Sequence, residues 1–211
     1  MTGRIRAARP EDVDAIVAIK QALGFSPGAA RPRGGFLLGC PPERYSALIE
    51  AGCVLALEQQ GRLAGFAVAV PDPLLRASDL WARRSLIRWR DGHGEPPEDE
   101  PIAYFDQLAL APWASRFAAA PLALAAVARL AEAGHARLYA TTLRAPIRNP
   151  AALPLLRGIG ARVVGSVREY YEDAGEVVSD LHCACLSAGL AAVRTLPLGL
   201  RIAARTEALA A

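Results

Sequence analysis

The chain has 211 residues, of which 53% are hydrophobic, and its 24 basic and 21 acidic residues leave a formal net charge of +3. This length is sufficient for one well-packed domain, and this hydrophobic fraction argues against a disordered chain. The charges form no long run of one sign, so the composition does not indicate a nucleic-acid partner.

Two features of the sequence bear on the cellular location of the protein. No stretch reaches the roughly 18 to 20 uninterrupted apolar residues that a membrane-spanning helix requires, since the longest candidate, FAAAPLALAAVA, is stopped by Arg129. The first residues, MTGRIRAARPEDVD, carry charges where a signal peptide needs its apolar core. We therefore expect no membrane partner and, by default, a cytoplasmic location with reduced cysteines.

The first half of the chain predicts a strand, two helices and a hairpin. IRAA, residues 5–8, is typical of a short strand, and Pro10 with the acidic residues after it marks the start of a helix that ends near Gly24. After a loop rich in glycine and proline, PERYSALIEAG predicts a second short helix. CVLALEQQGRLAGFAVAV then contains two apolar runs separated by QQG, which indicates a hairpin.

Residues 71–100 interrupt this pattern and predict a lid-like insertion. LWARRSLIRWR on a helical wheel places Trp81, Ser85 and Trp89 on one arc and four arginines on the other. The segment is therefore interpreted as an amphipathic helix that either forms a lid or covers apolar surface of the sheet.

The second half predicts a parallel crossover followed by two further strands. Strand IAYFDQLAL (102–110), helix PLALAAVARLAEAG with Pro121 at its first position and Gly134 at its end, and strand ARLYATT should form a right-handed unit. NPAALPLLRGIG predicts a short helix, and ARVVGSVREYY and EVVSDLHCACL predict a closing pair of strands. The fold class is therefore α/β (α+β), with a mixed, mostly antiparallel sheet of about seven strands and helices on both faces.

The junction SRFAAAP, residues 115–121, lies where the first parallel strand gives way to its helix. Small residues leave backbone N–H groups accessible there, and a phosphate can use such donors at the carboxyl end of a parallel strand. Alternatively, the alanines simply start a buried helix.

HCAC, residues 182–185, suggests a metal site only weakly. On a strand Cys183 and Cys185 face one way and His182 the other, and no second cluster completes a four-ligand set. We predict no metal and interpret these residues as part of the final strand.

Four segments together resemble the GNAT superfamily of acyl-CoA-dependent N-acetyltransferases: IRAARPEDVDAIVAI, GRLAGFAV, LALAP and NPAALPLLRGIGARVVG. The resemblance covers about residues 4–187 and implies a single GNAT-like acyltransferase domain over residues 1–187. It also implies a central, splayed pair of parallel strands that holds the thioester and pantetheine of acetyl-CoA or another acyl-CoA. Residues 188–211 lie outside it and predict a helical tail that packs on its own domain or on a second copy in a homodimer.

The resemblance assigns the cofactor contacts. Aligned through LAP, the family's pyrophosphate loop falls on Ser115, Arg116, Phe117, Ala118, Ala119 and Ala120. Only Ala120 conforms to the family pattern, and Ala118 stands where the family has glycine. Alanine supplies an N–H as well as glycine does, so the site survives if Ala118 needs no positive φ. Leu108 and Leu110 are expected beside the cofactor, and Asn149 is expected either to bond the pantetheine arm or to cap a helix.

The same resemblance suggests catalytic roles. By the strand period of two, Tyr104, Asp106, Leu108 and Leu110 should share one face. Asp106 is the expected general base, and the alternative is a carboxylate that pairs with arginine or caps a neighbouring loop. Tyr104 relays a proton through water or simply packs. The Leu110 N–H is the implied oxyanion donor. The family's thiolate-protonating tyrosine is replaced by Leu156, which leaves Tyr139, Tyr170, Tyr171 or no acid at all.

The acceptor is expected to be a small-molecule or peptide amine. The residues predicted to select it are Trp81 and Trp89 from the insertion, Tyr170 with Tyr171, and the loop at 25–36. Two other functions fit the departures from the family pattern: a GNAT-fold protein that binds a ligand or partner without transfer, and an acyltransferase that uses acyl carrier protein.

Overall fold

The protein is described by a computed structural model that covers residues 3–24, 39–172 and 174–195. Its strands are β1 (Arg4–Ala7), β2 (Val54–Gln59), β3 (Arg62–Pro71), β4 (Arg88–Trp89), β5 (Ile102–Leu110), β6 (Arg137–Ala145), β7 (Arg162–Tyr171) and β8 (Gly175–Cys185). Its helices are α1 (Val13–Ala22), α2 (Pro42–Glu50), α3 (Asp72–Arg76), α4 (Asp79–Ala82), α5 (Ala119–Glu132), α6 (Leu153–Gly158) and α7 (Leu186–Thr195).

The described strands form one sheet in the order β1-β2-β3-β5-β6-β8-β7-β4. Neighbours are antiparallel except for β5 and β6, which are parallel and joined through α5. The mixed, mostly antiparallel sheet is therefore confirmed, with eight strands in place of about seven. The predicted hairpin is also confirmed: Gln60 and Gly61 both have positive φ, as a two-residue primed turn requires.

Two apolar clusters hold helices against opposite faces of the sheet. One contains Leu122 and Val127 of α5, and α6 and α7 add Leu156 and Leu186 to it. The other contains Ile16 of α1 and Tyr45 of α2 against Phe66 of β3. The tail therefore begins as α7, which packs on its own domain, and its remainder lies outside the described residues.

The central parallel pair separates after half of its length. β5 and β6 are paired only from Ile102 and Arg137 to Phe105 and Ala140. Beyond this point β5 stays with β3 as far as Leu110, whereas β6 stays with β8. Because each strand follows a different neighbour, a gap opens between them, as the family resemblance implied.

The insertion differs from the prediction of one amphipathic helix. Helix α4 ends at Ala82, a 3-10 turn covers Arg83–Leu86, and the chain then becomes extended so that β4 pairs with Gly165 and Ser166 of β7. β-Branched and aromatic residues at 87 and 89 suit this edge strand, where main-chain bonds to β7 outweigh the helical pattern. The two ends of the insertion are held together by Arg76, which pairs with Asp72 at 2.9 Å and donates to two carbonyls near residue 100.

Gly65 of β3 provides a test of the close contact beside the gap. A Cβ at this position would lie 2.5 Å from Leu110 Cδ2 and 2.6 Å from the Ala109 carbonyl oxygen. Gly65→Ala should therefore lower the free energy of unfolding by about 1–3 kcal/mol, because the strands must move apart. Gly158→Ala is the matched control, since a Cβ there meets nothing within 4 Å. Urea denaturation of both variants measures the effect, and equal stability of the two would contradict this packing.

Candidate active site

The gap between β5 and β6 is a cleft of about 890 Å³ that passes between the helices of both faces. On the side of α2 and the insertion its walls include Arg44, Arg83, Glu169 and Tyr171. On the side of α5 and α6 they include Arg116, Asn149, Leu155 and Leu156. One cleft thus connects a charged end, lined by acids and bases, with the predicted phosphate loop.

A β-bulge at Asp106 sets which residues face each end of the cleft. Val68 of β3 is opposite Gln107 and Ala69 is opposite Phe105, so Asp106 is an extra residue in β5. The bulge interrupts the alternation of side chains. Tyr104 and Ala109 consequently belong to the α1–α2 cluster, whereas Phe105, Leu108 and Leu110 pack with the α5 cluster. The expectation that Tyr104, Asp106, Leu108 and Leu110 share one face is therefore wrong.

The backbone of β5 offers donors to the gap. The Ala111 N–H donates to the Ala64 carbonyl of the β3 side at 2.8 Å. Because successive amides of an antiparallel strand point in opposite directions, the N–H groups of Leu110 and Leu108 are directed away from β3. They face the side on which β6 has already left the pair. This orientation is what an oxyanion donor needs.

Asp106 is held by a chain of hydrogen bonds from α2. The buried Tyr45 hydroxyl donates to Gln107 Oε1 at 2.6 Å, and Gln107 Nε2 donates to Asp106 Oδ2 at 3.3 Å. Burial raises the pKa of Asp106 above its ordinary value, while Arg44 and the Gln107 amide act in the opposite direction. A raised pKa makes this carboxylate a stronger proton acceptor.

Glu169 is a second carboxylate at this end of the cleft, and the sequence analysis did not identify it. Its Oε1 pairs with Arg83 Nη1 at 2.8 Å, and its Oε2 accepts a bond from the Tyr171 hydroxyl at 3.4 Å. The period of two in REYY, which places residues 169 and 171 on one face of a strand, was the available signal. It also places Tyr170 on the other face, where it is 75% exposed, so the structure does not bring Tyr170 to the cleft.

The tyrosines proposed for proton transfer have different surroundings. Tyr104 is buried, its hydroxyl is hydrogen-bonded to Thr141 Oγ1 at 2.7 Å, and burial raises its pKa. Tyr139 is buried against Cys183 and lies outside the walls of the cleft. Tyr171 lines the cleft, and burial together with Glu169 raises its pKa to about 12. Of the three tyrosines that might replace the family's acid at the position of the buried Leu156, Tyr171 alone lines the cleft.

The predicted phosphate loop forms a 3-10 turn over Arg116–Ala118 before α5. Ala118 has a φ of −82°, so alanine in place of glycine causes no backbone strain. The N–H groups of Ala118 and Ala119 donate within the turn, to Ser115 and Arg116. The donors that a 3-10 turn leaves without internal partners are those at its start, on Arg116 and Phe117. Helix α5 begins two residues before Pro121, so this proline is its third residue and not its first.

The remaining predicted residues differ in their position relative to the cleft. Arg116 and Ala119 line the cleft, whereas Phe117 is 78% exposed with the Arg116 guanidinium 5.2 Å from its ring. Asn149 lines the cleft, and its Oδ1 accepts from the Ala151 N–H at 3.3 Å, a bond within the turn that precedes α6. The loop at 25–36 lies outside the described residues.

Trp81 and Trp89 line a second pocket that adjoins this cleft. Among the described residues, no group of three or more histidine, cysteine or acidic side chains could hold a metal ion. Within the same ranges, the helices are too short or too polar to cross a membrane.

Solved structures share this architecture. Chaetomium thermophilum Naa20, in complex with a bisubstrate analogue, matches with a TM-score of 0.61 and 16% identity over 89% of this chain and 88% of that chain. Salmonella typhimurium YncA, a putative acetyltransferase with its cofactor acetyl-CoA, matches with a TM-score of 0.58 and 15% identity over 88% of this chain and 95% of that chain. An acetyltransferase of the GNAT family from Streptococcus agalactiae matches with a TM-score of 0.55 and 14% identity over 87% and 95% of the two chains.

No protein-family model and no curated protein matches the sequence. At these identities the likeness establishes a shared fold, which is the fold that the four sequence segments implied.

The raised pKa of Asp106 predicts a pH-dependent effect on stability. When the pH rises above the ordinary value of 3.8, the unfolded chain ionises this carboxyl before the folded chain does, so the native state loses stability until the pH passes the raised value. Asp106→Asn removes this pH-dependent loss of stability. We expect the stability of the variant relative to wild type to increase as the pH rises above 3.8 in urea titrations. Glu176→Gln, at an exposed carboxylate, is the control for lost charge, and a relative stability of Asp106→Asn that is flat or falls with pH would contradict the assignment.

Proposed function

We propose that this chain, which has the GNAT fold, is an N-acyltransferase that moves an acetyl or another short acyl group from acyl-CoA to a primary amine. The observation that carries the proposal is the cleft between β5 and β6, into which the amides of Leu108 and Leu110 are directed. Support comes from the similar structures, since YncA was determined with acetyl-CoA and Naa20 with a bisubstrate analogue.

In this proposal the acyl-CoA enters from the α5–α6 end of the cleft. The first N–H groups of the 115–120 loop and the Arg116 guanidinium bind the pyrophosphate, because amides at a helix start and a guanidinium both favour anions. Leu108, Leu110 and Asn149 contact the pantetheine arm. The internal bonds of Ala118 and Ala119 leave fewer donors than the family loop provides, so Arg116 contributes a larger share of the affinity.

The acid–base steps of the proposed reaction take place at the opposite end of the cleft. Asp106 takes a proton from the acceptor's ammonium group, directly or through water near Tyr104, and the neutral amine attacks the thioester carbonyl carbon. The Leu110 N–H stabilises the oxyanion of the tetrahedral intermediate. Collapse of the intermediate breaks the carbon–sulfur bond and releases CoA as a thiolate. Tyr171 or solvent protonates the thiolate, the proton that the amide nitrogen loses returns to that same donor, and Asp106 releases its proton to water.

Leu156 favours one other function. It is buried at the position where relatives carry the thiolate-protonating tyrosine. A GNAT-fold protein that binds an acyl-CoA or a partner without transfer needs no proton donor there. Delivery of the acyl group by acyl carrier protein, a cytoplasmic location and a homodimer formed through the tail stay predictions from the sequence.

A thermal shift tests whether the chain binds the cofactor that the proposed function requires. Acetyl-CoA at 100 times its dissociation constant should raise the free energy of unfolding by about 2.7 kcal/mol. Arg116→Ala should weaken binding of CoA, whereas Arg168→Ala, on the exposed outer face of β7, should not. If saturating acetyl-CoA leaves the melting temperature unchanged, the CoA-dependent function is wrong.

The role of Asp106 is tested by steady-state kinetics. Asp106→Asn should lower kcat by about 100-fold or more, because a general base contributes about that much. The dissociation constant for acetyl-CoA should stay within twofold, because this side chain lies at the other end of the cleft from the phosphate loop. Glu176→Gln is again the control, and an unaltered kcat in Asp106→Asn would exclude the residue as the base.

A further inference from the structure

We infer that the acceptor carries its amine on an uncharged apolar group of about four to six heavy atoms, which enters a pocket beneath the insertion. This inference rests on the proposed function and adds the class of the substrate. The pocket, called here the insertion pocket, lies between residues 75–96 and the sheet. Nothing in the transfer chemistry itself requires it.

Apolar side chains form most of both walls of the insertion pocket, and the charged residues that also line it are Arg83, Arg84, Glu95 and Glu169. Its floor is formed by Tyr104, Tyr139, Val167 and Leu181, which come from the four strands β5, β6, β7 and β8. Its roof is formed by Trp81, Ile87 and Trp89. The two tryptophans therefore meet at one pocket, although they lie on a short helix and on a strand and not on one helical face.

The roof is held in place by contacts within the protein. Two guanidinium groups lie against the Trp81 ring, that of Arg76 at 4.6 Å and that of Arg84 at 4.8 Å from its centre. Arg84 also donates to the Trp81 carbonyl at 3.2 Å and to Glu95 at 3.3 Å. Because these contacts and hydrogen bonds hold the tryptophan within the protein itself, the pocket is preorganised for a ligand.

Polar groups at the border of the pocket are already paired. The Tyr104 hydroxyl bonds to Thr141, and Arg83 bonds to Glu169. A second charge or amide on the ligand would therefore lose its water without gaining a partner, which costs free energy. An aliphatic chain or a single ring loses no such bonds on entry.

The volume of the pocket limits the size of the group. It measures about 80 Å³, and one water-sized sphere needs roughly 10–15 Å³ on the same measure. About six such spheres correspond to a butyl, pentyl or phenyl group.

The pocket opens into the catalytic cleft, and a carboxylate lies at the opening. Leu80, Arg83, Tyr104, Thr141 and Glu169 line both spaces. Glu169 therefore stands at the junction, and Asp106 lies two residues beyond Tyr104 on β5. A ligand with its apolar group in the pocket places its ammonium group beside these carboxylates, where it is attracted and then deprotonated.

The experiment compares primary amines as acceptors with acetyl-CoA. The kcat/KM should rise about fourfold for each methylene from ethylamine to pentylamine, which is the value of one buried methylene. Pentylamine should exceed 1,5-diaminopentane at least tenfold, because the diamine has the same five-carbon chain and carries a second charge. Leucinamide, leucine and a peptide that begins with leucine then distinguish a free amine, an amino acid and a peptide as the source of the group. A diamine that equals pentylamine would overturn the inference.

Variants test the pocket itself. Val167→Phe fills the floor, so it should reduce kcat/KM for pentylamine by at least tenfold and leave ethylamine within twofold. Ile87→Phe fills the roof and should have the same effect if Val167→Phe does not fold. Leu86→Ala is the matched control, because this residue belongs to the same segment, is 52% exposed and lies outside the walls of the pocket. Equal pentylamine kinetics in a folded Phe variant and the control would overturn the inference.

A binding measurement separates this inference from the proposed function. The chain has three tryptophans, so Trp113→Phe leaves Trp81 and Trp89 as the sole reporters. Pentylamine should change their fluorescence at concentrations where diaminopentane does not, even if no transfer takes place. If acetyl-CoA binds and amines are acetylated without this preference, the inference alone fails. If pentylamine is bound but no acyl group is transferred, the proposed function fails and the pocket assignment stands.

Discussion

The separation of β5 from β6 is the constraint on which the site depends. Two parallel strands that share a register as far as Phe105 and Ala140 would normally continue to satisfy each other's amides. Here β5 gains an extra residue at Asp106 and stays with β3, whereas β6 stays with β8. Backbone N–H groups that would otherwise form hydrogen bonds within the sheet are thereby available to a ligand. The cleft exists because β5 and β6 are not paired over their full length.

The same bulge couples the backbone to the acid–base groups. One extra residue turns Asp106 out of the regular alternation and places Gln107 where the buried Tyr45 can fix its amide. The amide in turn holds the carboxylate. A helix on one face of the sheet thus positions a side chain in the gap, so the stability of the α1–α2 face and the geometry of the cleft are linked.

The insertion adds a second pocket beside the cleft. The ion pair between Asp72 and Arg76 lies where the insertion leaves the sheet. The edge strand β4 of the insertion pairs with β7, the strand that carries Glu169. Its roof and the carboxylate at the mouth of the pocket are therefore parts of one connected structure. In the proposed function, the insertion selects the acceptor and the loop before α5 binds the cofactor, so separate segments recognise the two substrates.

Local patterns in the sequence determined the elements and their order, because apolar period, turn residues and proline act over a few neighbours. The QQG hairpin, the strand at 102–110 and the α5 crossover follow from such signals. What depended on tertiary structure was the bulge at Asp106, the conversion of residues 87–89 into a strand, and the approach of Glu169 to Asp106 and Arg83. Each arises from pairing between segments that are distant in the chain. There the hydrogen bonds to a neighbouring strand outweigh a local helical or alternating pattern. The acceptor end of the site was therefore decided by the tertiary structure.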